Sequence, residues 1–394
     1  MSDINDLSGH PVYMDHHATT PVNSRVLETM LPYFSVVFGN AASIDHEHGN
    51  KALQAVTKAR QQISNLINAK PDEIIFTSGA TESDNLAIIG VAEHYIERGN
   101  HIITCVTEHK AVLDTCKYLE SKGWKVTYLP VDNQGLVNPD DVRRAITSKT
   151  ILISIMMANN EIGVIAPIAE IGKIAREYEI PFHTDTTQAV GHIPVDVESM
   201  NIDLLSISGH KVYGPKGIGA LYVRKSRPPV RVAEQMHGGG HERGMRSGTL
   251  NVPGIVGLGK ALEIAGIELE SEGDRLRTLR DNLWEGLCNN IEGLEINGHP
   301  TIRLPHNLSL FIPGIESRSL LVQLKNDVSI STGSACTTTK VEPSHVILAL
   351  GYGIERAYSS VRFGLGRENN VHDIDFVVKK IMSIVEKLTK LSNL

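Results

Sequence analysis

Between residues 70 and 225 the hydrophobic period switches back and forth, and that alternation narrows the possible folds more than any other feature of the chain. Seven short runs, residues 74–77, 101–106, 125–131, 151–157, 181–186, 204–208 and 219–223, read as strands, several of them apolar nearly throughout. Such runs suit strands covered on both faces. The neighbouring segments carry a helical stripe instead. In residues 48–67, Ala52, Val56, Ala59, Ile63 and Leu66 recur at three- and four-residue steps, which gathers them on one helix face. Residues 81–98, 110–122 and 168–178 repeat the pattern. Strand, helix and strand in this order predict an α/β domain around a largely parallel sheet.

After about residue 260 the grammar changes. A long, polar-rich helix is expected over 262–289, then strands at 307–311, 328–331 and 360–364, with helices at 317–325, 343–350 and 371–391. This predicts a large domain over 15–262 and a smaller α+β domain made of 1–14 and 263–394. No Pro/Ser-rich linker separates them, so a packed pair with a cleft between is expected. No apolar run approaches the roughly 18 residues of a membrane span. Residues 1–7 hold two aspartates, no arginine and no apolar stretch, so neither a signal nor a transit peptide is expected. The formal charge of −7 argues against a surface built to grip nucleic acid or anionic lipid. Four scattered cysteines, Cys105, Cys116, Cys288 and Cys336, form no Cys-x-x-Cys pair. A structural zinc site has no support, and a reducing, cytoplasmic setting is expected.

Three stretches join a strand end to reactive groups. Thr77-Ser78-Gly79-Ala80-Thr81-Glu82 leaves a strand and opens a helix; it suits an anion at a helix N-terminus and equally a plain helix cap. His183-Thr184-Asp185-Thr186-Thr187-Gln188 ends a buried strand, where open α/β sheets place ligand groups. Asp185 needs a partner there, and a protonated cofactor nitrogen or a structural arginine would each serve. Ser206-Ile207-Ser208-Gly209-His210-Lys211 runs from a strand into a glycine-rich loop. Lys211 could bind phosphate, stay solvated, or act as a desolvated nucleophilic amine. His16-His17 and His46-Glu47-His48 read as capping or pocket-lining residues rather than metal ligands, and the lysines of the closing helix as a solvated face.

Taken in order, the small-residue loop, Glu108-His109, Asn159-Asn160-Glu161, Asp185-x-x-Gln188 and Ser208-Gly209-His210-Lys211 resemble the fold type I pyridoxal-phosphate enzymes. Among them the chain is similar to the cysteine desulfurases of the NifS/IscS class, in the class-V aminotransferase family. The likeness runs from Met14-Asp15-His16-His17-Ala18-Thr19-Thr20-Pro21 to Arg367. It implies that Lys211 anchors pyridoxal 5'-phosphate, that Asp185 pairs with its ring nitrogen, and that Gln188 bonds its phenolic oxygen. His109 would lie against the ring and exchange protons with sulfur. Ala80, Thr81, Ser208 and His210 would hold the phosphate, with Asn160 beside the ring. Thr249 would reach the phosphate of the other subunit of a homodimer. Arg362, with Asn40 and Asn160, would receive the substrate carboxylate.

Ser331-Thr332-Gly333-Ser334-Ala335-Cys336-Thr337-Thr338-Thr339 is too polar a setting for a packing cysteine. The resemblance makes the loop 331–342 the carrier of a catalytic thiolate that takes sulfur from L-cysteine, leaves L-alanine and holds a persulfide. Its length places the chain with the class that passes sulfur directly to a protein acceptor. The persulfide of Cys336 could also be a transient iron–sulfur ligand; no other metal is expected. The remaining cysteines read as structural. Ala41, Thr186 and Thr332 depart from the usual family residues without removing a reacting group, and members that dock an iron–sulfur scaffold carry a longer tail than this chain. The expected activity is cysteine desulfuration for iron–sulfur assembly, tRNA thiolation or DNA sulfur modification. The alternatives are a selenocysteine lyase or a sulfur-delivery component.

Overall fold

A computed structural model describes residues 11–226, 228–332 and 342–392. The seven expected strands form one sheet: β1 (Ile74–Thr77), β2 (His101–Cys105), β3 (Lys125–Leu129), β4 (Thr150–Ser154), β5 (Phe182–Asp185), β6 (Leu204–Ser208) and β7 (Gly219–Val223), in the order β1-β7-β6-β5-β4-β2-β3. β3, β2, β4, β5 and β6 run parallel, and β7 is antiparallel to both neighbours. The carboxyl ends of β1, β2, β4, β5 and β6 therefore share one edge.

Two-residue alternation decides which core each strand residue joins. Ile74, Phe76, Ile103, Ile153, Leu205 and Tyr222 face one way, toward the helices Glu47–Leu66, Ile168–Glu177 and the first half of Val252–Cys288. Ile75, Ile102, Leu152, Leu204 and Leu221 face the other way, toward Ala80–His94 and Lys110–Ser121. Each fully buried branched side chain is worth roughly 1.5–3 kcal/mol, so a one-residue slip of any inner strand would exchange its two apolar sets between cores.

A further core gathers Leu276, Leu279, Leu283 and Leu287 of the long helix with the helices Ser317–Leu324 and Val371–Ser392. It rests on an antiparallel pair, β8 (Asn307–Phe311) and β9 (Ser360–Gly364), with Glu295–Ile296 on the outer side. The first described residues belong here. Val12–Tyr13 pairs with Val328–Ser329, Gly364 donates to the Met14 carbonyl at 2.7 Å, and His16 donates back to Gly364 at 3.1 Å. The segment then crosses to the sheet, where Thr20 donates to the His210 carbonyl at 2.9 Å.

The long helix begins at Val252, ten residues before the sequence placed it. Asn251 caps the Gly254 N–H and Pro253 stands in the first turn, both start signals. Glycines at 254, 257 and 259 masked them by lowering helix propensity. Packing explains those glycines: a Cβ on Gly259 would stand 2.7 Å from Ala59 Cα, and one on Gly257 would meet Met30 Sδ at 2.5 Å. The helix Ser24–Met30, capped by Asn23, was also not anticipated.

Candidate active site

A cavity of about 580 Å³ opens at the shared carboxyl edge, walled by the residues that follow β1, β4, β5 and β6, by His109 beyond β2, and by His17, Ala18 and Thr19. Ser78, Gly79, Ala80 and Thr81 form one side. The helix Ala80–His94 starts there without a side-chain cap, which leaves first-turn N–H groups for an anion. Gly79 has φ +151°, and a Cβ on it would meet nothing nearer than Ser208 Oγ at 4.0 Å. The residue is glycine for its backbone conformation, and the space beside it belongs to the cavity. Thr77 and Ser208 both register with Gly219, so the two loops sit level across β7.

Lys211 follows β6 in a short helical turn. Its Nζ donates to the carbonyl oxygens of His17 and Ala18, each at 2.6 Å. Burial, aided by Arg362, pushes its pKa down to about 8. Asp185 ends β5, is 4 % exposed, and accepts the Thr187 N–H at 2.8 Å. Gln188 sits in the turn that follows, bonded to His17. His210 meets Thr19 Oγ1 at 3.1 Å, and burial next to Lys211 pushes it down to about 4. His109 caps the helix Lys110–Ser121: its Nδ1 accepts the Ala111 N–H at 3.1 Å, so the neutral ring carries its proton on Nε2. Desolvation, with Lys211 contributing, lowers its pKa, and Asp185 works in the opposite sense. A neutral imidazole with one N–H and one lone pair can both give and take a proton.

Beneath Asp185 lies a second tier the sequence did not single out. Asp84 and Glu108 are fully buried, and burial followed by Asp185 among their causes raises both carboxyls well above the usual range. Among the described residues neither oxygen of Asp84 has a hydrogen bond of ordinary geometry, although Ser206 stands close enough to lower its pKa, and His183 Nε2 lies 3.6 Å away. His183 is pushed down to about 4 by burial and is held by Ser154 at 2.8 Å and Ser206 at 3.0 Å. With this tier neutral, the acids that line the cavity are Asp185 and Glu82, and Glu82 is paired with Arg246 at 2.7 Å.

The wall thus brings together Ala80, Thr81, His109, Asn160, Asp185, Gln188, Ser208, His210 and Lys211. Arg362 stands just behind it, donating to the Asn160 carbonyl at 2.8 Å and pairing with Asp15 at 2.9 Å. Asn40 and Thr249 do not line the cavity; both are exposed. Thr249 follows a segment pinned by Glu242, which pairs with Arg60 and accepts the Phe76 N–H at 2.7 Å, and by Arg246 on Glu82, also at 2.7 Å. Cys336 lies outside the described residues. Cys105 and Cys116 are buried, and burial pushes their thiols up to about 11 and about 12, which suits inert packing residues. Cys288 departs from that reading, being exposed at the end of the long helix. His46 caps the helix Glu47–Leu66 through Gly49, and His17 lines the cavity.

The aminotransferase class-V family model matches residues 12–377. The cysteine desulfurase IscS of Anaeromyxobacter dehalogenans is 52% identical over 384 residues, 98% of this chain and 95% of that protein. Among solved structures, a NifS-like protein superposes with a TM-score of 0.89 at 39% identity, over 96% of this chain and all of the other. A structure described as SspA in complex with cysteine gives a TM-score of 0.80 at 42% identity, covering 90% of this chain and 98% of that one.

Proposed function

The chain belongs to the aminotransferase class-V family, and from that premise and the cavity at the sheet edge we infer that it is a pyridoxal-phosphate-dependent L-cysteine desulfurase. One observation carries the reading: Lys211, with its pKa lowered to about 8, and the buried carboxylate Asp185 line the same cavity as an uncapped helix N-terminus. An amine, a carboxylate and an anion cradle are what the cofactor's aldehyde, ring nitrogen and phosphate require. The fit extends to Gly79, where the backbone leaves room for a ligand to approach. Full-length relatives named as cysteine desulfurases support the same activity.

Lys211 anchors the cofactor, Asp185 keeps its ring nitrogen protonated, and Gln188 donates to its phenolic oxygen. Ala80, Thr81, Ser208 and His210 hold the phosphate, and Asn160 flanks the ring. Once bound, the cofactor supplies an electron sink for charge developing next to the substrate's amino group. Arg362, with Asn160 beside it, would orient the substrate carboxylate. The free amine of Lys211 would move the α-proton, and His109 would exchange the proton on sulfur. Cys336, as thiolate, attacks the substrate sulfur. An S–S bond forms as the C–S bond breaks; the pair from the broken bond stays with the three-carbon fragment, which takes up a proton and leaves as L-alanine. Cys336 keeps the persulfide for a protein acceptor, an iron–sulfur scaffold or another sulfur carrier.

The large domain 15–262 holds the cofactor, and the small domain, 1–14 with 263–394, brings the cysteine loop. The active form is a homodimer in the cytoplasm. Phe34, Val36, Phe38 and Ile44 support the dimer: all are more than 60 % exposed on one chain, close together in sequence, and Thr249 is likewise turned outward. No helix among the described residues is long and apolar enough to cross a membrane.

The purified, cofactor-loaded protein should turn L-cysteine into equal amounts of alanine and, with a reductant, sulfide. Lys211→Ala should lose the cofactor's visible absorption. A loaded protein that yields neither product overturns the reading. Comparing L-cysteine with selenocysteine in Cys336→Ser separates desulfuration from selenocysteine lysis.

A further inference from the structure

The Gln188 amide is held at both ends by one residue. Its Nε2 donates to the His17 carbonyl oxygen at 3.0 Å, and its Oε1 meets His17 Nδ1 at 2.8 Å. The carbonyl settles which end is which, because an amide oxygen turned toward another carbonyl oxygen would be repelled. His17 Nδ1 must then carry the ring proton. The far side of the ring gives the same answer independently. Asn307 Oδ1 accepts from Arg303 Nη2 at 2.8 Å, so Asn307 Nδ2 is the atom that reaches His17 Nε2 at 3.0 Å and the Glu161 carbonyl at 3.2 Å. His17 Nε2 is therefore an acceptor, and both sides select one tautomer. The ring is 1 % exposed and stacks on His306 with centroids 4.5 Å apart. Burial, reinforced by Arg362, holds its pKa well below the ordinary histidine range, so the ring is neutral.

We propose that His17 is a positioning residue of the cofactor site: it locks the Gln188 amide, with a tautomer imposed by Asn307 and Arg303, so that Gln188 presents an N–H and not an oxygen to the cavity. The inference rests on the reading of this cavity as the pyridoxal-phosphate site. One Nε2 hydrogen is spent on the His17 carbonyl, and the other is free for an acceptor oxygen on the cofactor ring. A donor fixed before the cofactor arrives favours the ionised form of that oxygen without reorganisation during the reaction. The His17 carbonyl also accepts from Lys211 Nζ, so one peptide unit sets the position of the anchoring amine and the orientation of the amide.

The test is a pH titration of the visible absorption band of the reconstituted holoenzyme. Loss of a donor to the ionised ring oxygen should raise the midpoint, by roughly one unit in Gln188→Ala. His17→Phe keeps the ring volume and the stack on His306 but has no N–H, and should raise the midpoint by a similar amount. The double variant should move no further than Gln188→Ala alone. His17→Gln, whose amide can still donate, should stay near the wild-type midpoint. If His17→Phe does not fold, Asn307→Ala removes the tautomer-setting donor from the opposite side and should shift the midpoint in the same direction. A wild-type midpoint in His17→Phe, or in Asn307→Ala when that variant stands in, beside a shifted Gln188→Ala, overturns the role of His17 and leaves the cofactor reading intact. Additive shifts in the double variant overturn it equally. A wild-type protein that takes up no cofactor removes the underlying reading and this inference with it.

Discussion

Asp84 carries a proton in the folded chain that it would release when unfolded, because burial raises its carboxyl well above the usual range of about 4. Above that range the native state binds more protons than the unfolded state, so this residue's contribution to stability falls as pH rises toward its folded pKa. Asp84→Asn removes the dependence. Urea melts should show the variant gaining on wild type by roughly 1 kcal/mol per pH unit from pH 5 upward, whereas a pH-independent gap would mean an ionised Asp84. Lys211 has its own signature. A pKa lowered to about 8 means that capture of the cofactor's aldehyde by the apo protein should accelerate through pH 8 and then level off. A rate still climbing near pH 10 would show an ordinary lysine. Both groups bear on what the sequence made legible. Asp185 and Lys211 could be picked out because Asp185 ends a buried strand and Lys211 comes three residues after one, places where a charge has no structural excuse. Asp84 could not, since one acid in the first turns of a helix is also what a helix dipole favours. His17 read only as a pocket-lining residue, because its partners Gln188, Asn307 and Arg303 lie far along the chain.

Among elements, β7 is packed closely against both of its neighbours. A Cβ on Gly219 would stand 2.4 Å from the Ile207 carbonyl oxygen and 2.7 Å from Gly79 Cα, so three strand ends would have to separate. Gly219→Ala should cost about 2–3 kcal/mol and weaken cofactor binding at the same time, read by urea melts and by cofactor titration. Lost stability with unchanged affinity would show that the strain relaxes away from the site. Gly273 is the contrast. It sits in the long helix between the residues of its two cores, and a Cβ there meets nothing within 4 Å. Gly273→Ala should therefore stabilise by roughly 0.5–1 kcal/mol through helix propensity alone. Sheet strands were the most legible elements, since burial on both faces leaves an uninterrupted apolar signal. β4 ends at Ser154, short of the expected 157, yet Ile155 and Met157 still donate to the His183 and Asp185 carbonyls of β5, at 3.1 and 2.9 Å, so the apolar run follows the sheet past the end of the regular ladder.

For the molecule as a whole, the proposed homodimer would cover the exposed aromatic and aliphatic side chains at 34–44. Phe38 is 65 % exposed, so Phe38→Asp should leave the fold intact and cost little as a monomer, while sedimentation shifts from dimer toward monomer. On the proposed role of Thr249 at a neighbour's phosphate, cofactor affinity should fall along with it; a Phe38→Asp variant that remains a tight dimer places the interface elsewhere. Within one chain, Gly364 anchors Met14 and His16, and this has a consequence for synthesis. The carbonyls of His17 and Ala18, which receive Lys211 Nζ, are made long before β9, the strand that holds the residues just ahead of them. Lys211 leaves the ribosome about 150 residues before Gly364, on the order of ten to thirty seconds earlier. Throughout that interval the sheet can assemble, with the segment held at Thr20 by His210 but not yet at Met14 and His16 by β9. A nascent chain stalled before β9 would thus carry every residue of the cavity wall without the strand that anchors Met14 and His16.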